Sequence, residues 1–299
     1  MRILITGGTG LLGWWLAKTF YSKGYTVFAI KHSKNPFGLD GINWLKLDIT
    51  DYSSVTETVR GIRPDIVIHS AAYTNVDGCE ENRSLAYRTN FLGTLNLVRA
   101  VSKEEGILFV YISTDYVFDG RKGLYVENDI PYPVNYYGLT KLLGEAISVG
   151  YDESIIIRVS GLYGYSPTGK KNFAVKTVEK LLRGEHVKAF KDQFLSPTYV
   201  PELARMIYEL LLKDFRGTIH LAGERTSRYN QAILIAKALK VDEDFVEPVS
   251  LKDVNLKAPR PVDSSLDTKV AFNMGIKHAP IEEAIRDFVT NYINEIQTR

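Results

Sequence analysis

The amino-terminal stretch restricts the fold of this chain more than any other part of the sequence. Residues 2–6, RILIT, form an apolar run that leads into GGTGLLG and then into a helix-like pattern. Gly8, Gly10 and Gly13 give the spacing G-x-G-x-x-G, and Gly7 extends it to the wider G-x-x-G-x-x-G. Such glycines allow a tight turn, let the backbone approach a pyrophosphate and let the helix pack closely on the strand. The sequence therefore predicts a dinucleotide-binding strand–turn–helix unit.

Further apolar runs alternate with helical patterns and predict a parallel sheet. Strands are predicted at residues 25–30, 42–47, 65–70, 107–113 and 155–160, with a long helical stretch over 81–105. The predicted fold class is α/β, a Rossmann-type doubly wound parallel sheet with a smaller, mixed carboxyl-terminal substrate-binding region. Because ligands bind outside the carboxyl ends of parallel strands, we expect the binding residues along one edge of this sheet.

The predicted domain boundary lies near the end of the sixth strand pattern. Residues 1–158 are assigned to the dinucleotide-binding domain and residues 159–299 to the substrate-binding region. The two interleave, because short strand patterns near 187–190 and 218–221 indicate that residues 185–222 return to the Rossmann sheet.

Composition argues against several classes of function. The 299 residues carry a net charge of +2, which indicates neither a nucleic-acid footprint nor a membrane surface. Cys79 is the only cysteine, so no intrachain disulfide or cysteine cluster for zinc can form. We predict no catalytic metal, since no His/Asp/Glu cluster has ligand spacing. The sequence predicts a soluble cytoplasmic protein and leaves its oligomeric state open, a homodimer included.

A hydroxyl, a phenol and an ammonium are predicted to meet at the end of the fifth strand. Ser113 and Thr114 close that strand, and Asn135 is the predicted N-cap of a helix carrying Tyr137 and Lys141. Four residues apart, Tyr137 and Lys141 share a helix face. An ammonium and a donating hydroxyl both favour the phenolate of a tyrosine, whose ordinary pKa is about 10. The pattern indicates proton exchange with a carbonyl or alcohol oxygen, the alternative being two surface residues of an amphipathic helix.

The end of the second strand bears on the choice of cofactor. NAD specificity usually requires Asp or Glu there to bind the ribose 2′-hydroxyl, whereas a basic residue suits a 2′-phosphate. This chain has Lys31-His32-Ser33-Lys34, with no acid before Asp40. The pattern favours NADPH, with NADH as the alternative.

Segments along most of the chain resemble the extended short-chain dehydrogenase/reductases, and among these the dTDP-4-dehydrorhamnose reductase family. They run from Thr6 to Asp267 and read TGGTGLLG, LDITD, AAYTNVDGCE, STDYVFDG, NYYGLTKLLGE, KDQFLSPTYV, IHLAG and RPVDSSLD. STDYVFDG and DQF-x-SPTY are more specific than the glycine loop. The resemblance implies that a nicotinamide cofactor reduces the C4 ketone of a dTDP-6-deoxyhexulose, a nucleotide-sugar substrate, to give dTDP-L-rhamnose.

The resemblance also implies roles for individual residues. Tyr137 would protonate the incipient alkoxide, and Lys141 would lower the pKa of Tyr137 and hold the nicotinamide ribose. Thr114 would hydrogen-bond the substrate carbonyl, with Ser113 or Asp115 helping to position the sugar. The glycine spacing, the second-strand end and the resemblance together predict these cofactor-binding residues: Gly7, Gly10, Leu11, Leu12, Gly13, Lys31, Asp48, Ile49, Ala71, Ala72, Tyr73, Tyr137 and Lys141.

Two more positions match the family and two depart from it. Asn172 resembles a residue near the sugar-nucleotide diphosphate, and Asn90 occupies the place of the family's supporting asparagine. Gly161 stands where a tryptophan that packs on the sugar is usual, and Leu195 stands where a glycine is usual. These departures leave the identity of the hexulose open.

Two rival functions fit part of the pattern. The family contains the NADP-binding regulatory β-subunit of methionine adenosyltransferase, and that enzyme would then be the partner. A nucleotide-sugar epimerase, which holds NAD throughout its cycle, would favour an acid where Lys31 stands. The complete set of Thr114, Tyr137 and Lys141 favours the reductase.

Overall fold

The central feature of the computed structural model is a parallel sheet of seven strands. The structure describes residues 1–31, 39–166, 168–169 and 171–297. Its strands are β1 (Arg2–Thr6), β2 (Thr26–Lys31), β3 (Asn43–Lys46), β4 (Ile66–His69), β5 (Leu108–Thr114), β6 (Ser154–Val159), β7 (Val187–Phe190), β8 (Phe194–Leu195), β9 (Gly217–His220), β10 (Thr226–Ser227) and β11 (Val246–Val249). The sheet has the order β3-β2-β1-β4-β5-β6-β9, and every neighbouring pair is parallel. The predicted Rossmann-type α/β fold is confirmed.

Helices cover both faces of the sheet. They are α1 (Leu11–Ser22), α2 (Tyr52–Ile62), α3 (Val76–Glu81), α4 (Arg83–Ala86), α5 (Gly93–Val101), α6 (Tyr136–Val149), α7 (Phe173–Leu182), α8 (Val200–Leu211), α9 (Arg228–Leu239), α10 (Lys269–Asn273) and α11 (Ile281–Gln297). Successive residues of β1 point to opposite faces, so Ile3 and Ile5 pack with α1 and α8 while Leu4 packs with α2 and α5. Because both faces of the strand are buried, its interior residues Ile3, Leu4 and Ile5 are all apolar.

Strand order reverses between β1 and β4, and this reversal opens the space for a ligand. The chain passes outward from β1 to β2 and β3 and then returns to β4 on the other side of β1. Crossover segments therefore diverge at the carboxyl ends of β1 and β4, where an open α/β sheet forms its binding crevice.

The predicted helical stretch over 81–105 is divided into several helical segments and ends at Val101. After α4 the chain forms a π-helical segment, Tyr87–Leu92, before α5 begins at Gly93. Asn90 lies in this segment and is almost fully buried. Such single π turns place one extra residue within a helix and recur at functional sites.

A second packed layer lies beyond the sheet. Its core is formed mainly by α7, α9 and α11 around Tyr163, Tyr199 and Phe288. Within the segment 185–222, β9 pairs with β6 in the main sheet, whereas β7 pairs with β11 in a separate two-stranded sheet. The segment thus contributes to both layers.

In the part of the chain that the structure describes, no helix is long and apolar enough to cross a membrane. Among those same residues, no group of three or more His, Cys, Asp or Glu side chains is arranged to hold a metal ion.

Candidate active site

The glycine turn between β1 and α1 forms a cradle without side chains. Gly7 adopts φ +68°, and a β carbon built on it would lie 2.8 Å from the backbone nitrogen of Ala71. The Gly10 amide donates to the Gly7 carbonyl over 2.8 Å, which closes the turn. A β carbon on Gly13 would overlap that carbonyl oxygen. The backbone at the amino terminus of α1 is therefore open to a phosphate-bearing group, so the cradle fits a dinucleotide.

Two cavities meet at this cradle and share Gly7, Ala71 and Ala72 in their walls. The larger, of about 570 Å³, lies on the β2 side and includes Asp48, Ile49 and Tyr73 among its lining residues. The smaller, of about 410 Å³, includes Gly10, Leu11, Leu12, Gly13, Thr114, Tyr137, Lys141 and Asn172. Nearly all predicted cofactor-lining residues therefore border one continuous cleft at the carboxyl ends of the strands.

Lys31 stands apart from this lining. It ends β2 in register with Lys46 of β3, so two lysines lie side by side at this sheet edge. The other members of the predicted basic loop, His32, Ser33 and Lys34, lie outside the described residues.

The predicted helix start at Asn135 is confirmed. The Asn135 side chain accepts a hydrogen bond from the amide of Gly138, and α6 begins at Tyr136. Tyr137 and Lys141 consequently project one turn apart into the smaller cavity, where Thr114 also lies. Thr114, Tyr137 and Lys141 therefore border the same cavity.

Burial governs the charge of Lys141. Its side chain is 3% exposed, and Nζ donates to the carbonyl of Ile112 over 2.7 Å. Nζ also lies 4.1 Å from the ring centroid of Tyr111. Burial lowers the pKa of Lys141 to about 7, with the negative charge of Glu145 opposing the shift. Burial therefore disfavours the charged ammonium relative to the neutral amine, and few partners compensate for the lost solvation.

Tyr137 is a protonated phenol in this environment. Burial raises its pKa above the ordinary value, and a hydrogen bond with Thr114 acts in the opposite direction. Its ring also meets that of Tyr116 in an edge-on contact, with centroids 6.0 Å apart. A protonated phenol at the cleft wall is in the right state to donate a proton.

Ser113 borders the smaller cavity, but its hydroxyl belongs to a network that extends behind the cleft. The Ser113 hydroxyl donates to Glu145 over 2.5 Å, and Arg158 binds both oxygens of the same carboxylate at 2.9 and 2.8 Å. Both charged side chains are almost fully buried. The ion pair between Glu145 and Arg158 connects α6 to β6. The fixed Glu145 carboxylate orients the Ser113 hydroxyl toward itself.

Asp115 lies beneath Thr114 and does not border either cavity. Its carboxylate accepts hydrogen bonds from Thr114, Ser160 and Ser264 at 3.0, 2.8 and 2.5 Å. Burial raises the pKa of Asp115, while the three hydroxyl donors lower it. Since Thr114 also accepts a hydrogen bond from the amide of Tyr116, its hydroxyl has a fixed orientation.

Asn90 fastens the cofactor side of the cleft to α6. Its Oδ1 accepts the Tyr73 amide over 2.7 Å, and its Nδ2 donates to the Tyr73 carbonyl and to Thr140 Oγ1 at 3.2 and 3.0 Å. The π turn carries Asn90 into this position between the segment after β4 and the Tyr137 helix.

The far wall comes from the second layer. Asn172 caps α7 by accepting the amide of Val175, and its Nδ2 donates to the carbonyl of Gly164 over 2.6 Å. Beside it lie Phe173 and Arg228, the first residues of α7 and α9. No local sequence pattern marks Arg228, because only the packing of two distant helix starts brings it to the cleft.

The matching family model is the RmlD substrate binding domain, which matches residues 1–294. The chain is 34% identical to dTDP-4-dehydrorhamnose reductase of Aggregatibacter actinomycetemcomitans, with 96% of this chain and 97% of that protein covered. It is 30% identical to methionine adenosyltransferase 2 subunit beta of Danio rerio, with 96% and 89% covered. A crystal structure of dTDP-4-dehydrorhamnose reductase from Bacillus anthracis in complex with NADP superposes with a TM-score of 0.83 at 34% identity, covering 97% of this chain and 99% of that one.

Proposed function

Because this chain belongs to the RmlD substrate binding domain family, we propose that it is a reductase of nucleotide-activated sugars. The proposed reaction is the NADPH-dependent reduction of the C4 ketone of a 6-deoxyhexulose, as from dTDP-4-dehydrorhamnose to dTDP-L-rhamnose, with Tyr137 as proton donor. The observation that supports the proposal is that Thr114, Tyr137 and Lys141 line the cavity that is also lined by the glycine cradle.

The chemistry divides between the cofactor and the side chains. A reduced nicotinamide, when bound, supplies a hydride to a carbonyl carbon. Tyr137 gives its proton to the carbonyl oxygen. The Thr114 hydroxyl, which donates to Asp115 in this structure, turns its proton to that oxygen and holds it within reach of the phenol. Lys141 lies one turn along the helix and stabilises the phenolate that remains, provided that it carries its proton at that moment.

Several residues support NADPH as the cofactor. The cradle of Gly7, Gly10 and Gly13 admits a pyrophosphate at the start of α1. Lys31 and the neighbouring Lys46 put two positive charges at the end of β2 and β3, where the adenosine ribose of a dinucleotide lies. A 2′-phosphate is favoured by such charges, whereas a free 2′-hydroxyl gains little from them.

A regulatory role is the second candidate, because the relative from Danio rerio is a subunit of methionine adenosyltransferase. In that case the chain would bind NADP and modulate a partner enzyme. Intact Thr114, Tyr137 and Lys141 side chains in an open cleft favour turnover instead.

One assay separates the two functions. Purified protein is mixed with NADPH and enzymatically generated dTDP-4-keto-6-deoxy sugar, and absorbance at the nicotinamide band is followed. We expect NADPH consumption that depends on the sugar. No consumption, together with co-purification of methionine adenosyltransferase, would reject the reductase.

A further inference from the structure

Arg228 is a half-buried cation in the wall of the smaller cavity. Its Nη1 donates to Oε1 of Gln231 over 3.0 Å, and its guanidinium carbon lies 4.9 Å from the ring centroid of Phe173. Gln231 is fully buried, so the guanidinium is held from one side by a fixed amide and from another by an aromatic ring. The side chain is therefore positioned before any ligand arrives.

The charge of Arg228 is not neutralised by an ion pair. Within the described part of the chain, no carboxylate lies at ion-pair distance from its guanidinium. The nearby Asp115 carboxylate instead accepts hydrogen bonds from three hydroxyl groups. Burial lowers the pKa of Arg228, and the charges of Asp115 and Tyr116 oppose this shift only in part. A half-buried cation without a counter-ion is unfavourable unless a ligand supplies the negative charge.

The surroundings of Arg228 add positive potential. Phe173 and Arg228 are the first residues of α7 and α9, helices of 10 and 12 residues whose amino-terminal ends meet at the cavity. Neither helix has an acidic residue in its first turn. Lys171 borders the same wall, although its ammonium pairs with Glu179 over 2.7 Å. Helix amino termini favour anions, so this wall suits a phosphate group.

We propose that Arg228 binds the diphosphate of the sugar-nucleotide substrate and thereby sets which end of the substrate faces Tyr137. This inference rests on the proposed function, since a hexose that presents C4 to Tyr137 carries its C1 phosphate on the opposite side of the ring. A cofactor bound at the glycine cradle would lie at the strand ends of the first layer, whereas Arg228 belongs to the second layer. A planar guanidinium forms paired hydrogen bonds with phosphate oxygens, which a neutral side chain cannot replace.

The test compares nucleotide binding in Arg228→Gln, Arg228→Lys and the wild type. Isothermal titration calorimetry measures dTDP, UDP and thymidine with NADP⁺ present at saturation, so that the ligands cannot occupy the cofactor site. We expect wild-type protein to bind a nucleoside diphosphate more tightly than thymidine, and Arg228→Gln to weaken that binding about ten- to a hundredfold. Arg228→Lys should retain part of the affinity, and thymidine binding should be equal in all three.

Thermal unfolding separates a binding role from a structural one. Without nucleotide, Arg228→Gln should unfold at the same temperature as wild type or higher, because it removes an uncompensated charge. With dTDP, its stabilisation should be smaller than that of wild type. Arg183→Gln is the matched control, since Arg183 is an exposed arginine at the end of α7 and pairs with Glu185. It should leave both measurements unchanged.

The outcomes distinguish this inference from the proposed reaction. Equal nucleoside diphosphate affinity in Arg228→Gln and wild type, or no such binding by wild type, would overturn the role of Arg228 even if NADPH is consumed. An Arg228-dependent diphosphate affinity without NADPH consumption would sustain the binding site and reject the reductase. A lowered unfolding temperature of Arg228→Gln without ligand, with dTDP affinity unchanged, would assign the side chain to stability.

Discussion

The Leu195 side chain packs directly against Gly161, in the space where a side chain at position 161 would lie. Gly161 follows β6 with φ +52°, and a β carbon built on it would overlap Cδ1 of Leu195. Leu195 is 3% exposed, so its side chain fills the volume that a side chain at position 161 would need. The two departures from the family pattern are therefore linked: any side chain at position 161 would have to displace the Leu195 side chain.

This contact predicts non-additive stability. Gly161→Ala should lower the free energy of unfolding by about 1–3 kcal/mol, through left-handed backbone strain and overlap with Leu195. Leu195→Ala should cost about 2–5 kcal/mol by leaving a cavity. The double variant should cost about 1 kcal/mol less than the sum, because the new methyl group enters that cavity. Urea denaturation of the four proteins measures this, and strict additivity would contradict the contact.

Tyr137→Phe should abolish turnover while leaving cofactor binding nearly intact. Losing the proton donor should lower kcat by a factor of about 10²–10⁴. The phenyl ring keeps the edge-on contact with Tyr116, so the fold should be unchanged. Steady-state kinetics and NADPH titration monitored by fluorescence give the two values. An equal loss of kcat and NADPH affinity would show that Tyr137 is structural.

Lys141 should make stability depend on pH in a defined direction. Its pKa is about 7 in the fold and 10.5 for the ordinary side chain, so between these values the unfolded chain binds more protons. The contribution of this residue to stability therefore rises as pH increases from 7 to 10.5 and is constant below 7. Relative to wild type, Lys141→Met should gain stability as pH falls across that window. Urea denaturation from pH 6.5 to 9.5 measures the difference.

A control is available for this titration. Lys176 is exposed on α7, so Lys176→Met shows the effect of replacing a lysine by methionine outside the buried site. A difference between Lys141→Met and wild type that does not vary with pH would mean that the buried lysine keeps its ordinary pKa.

Asn90→Ala should weaken cofactor binding as well as the fold. It removes both hydrogen bonds to the backbone of Tyr73 and the one to Thr140, at a cost of about 1–3 kcal/mol in unfolding free energy. Tyr73 borders the larger cavity, so NADPH should bind more weakly too. Asp242→Ala is the control, because Asp242 accepts the amide of Asp244 and borders neither cavity, so its loss should cost about 1 kcal/mol without affecting NADPH. Unchanged NADPH affinity in Asn90→Ala would show that the hydrogen bonds between Asn90 and Tyr73 do not support cofactor binding.

Lys31→Asp should change cofactor preference. We expect NADPH to bind about tenfold more weakly, since an attraction to the 2′-phosphate becomes a repulsion, while NADH changes little. Lys176→Asp again serves as the control for a surface charge change. Fluorescence titration with both cofactors measures the ratio of affinities, and an unchanged ratio would place the 2′-phosphate contact elsewhere.

Local signals predicted the first layer well, and long-range packing explains the rest. The Asn135 cap could be found because its acceptor and amide donor are three residues apart, and Tyr137 and Lys141 follow from helix geometry. Asp115 was expected beside the sugar, but its carboxylate bonds to hydroxyls from three separate segments and lies beneath the cleft. Arg228 reaches the cleft only because α9 packs beside α7, and no local pattern encodes that contact.

The π turn at Tyr87–Leu92 has a consequence for how the gene for such a chain can change. Deleting one residue from a regular helix rotates everything beyond it by about 100° and would bury the wrong side chains. Deletion within the π turn instead restores an ordinary helix and leaves α5 facing the sheet as before. Such a deletion removes the extra residue that positions Asn90. The fold is then kept, while the hydrogen bonds between Asn90 and the Tyr73 backbone are lost. This helix therefore holds a site where a length change separates folding from ligand binding.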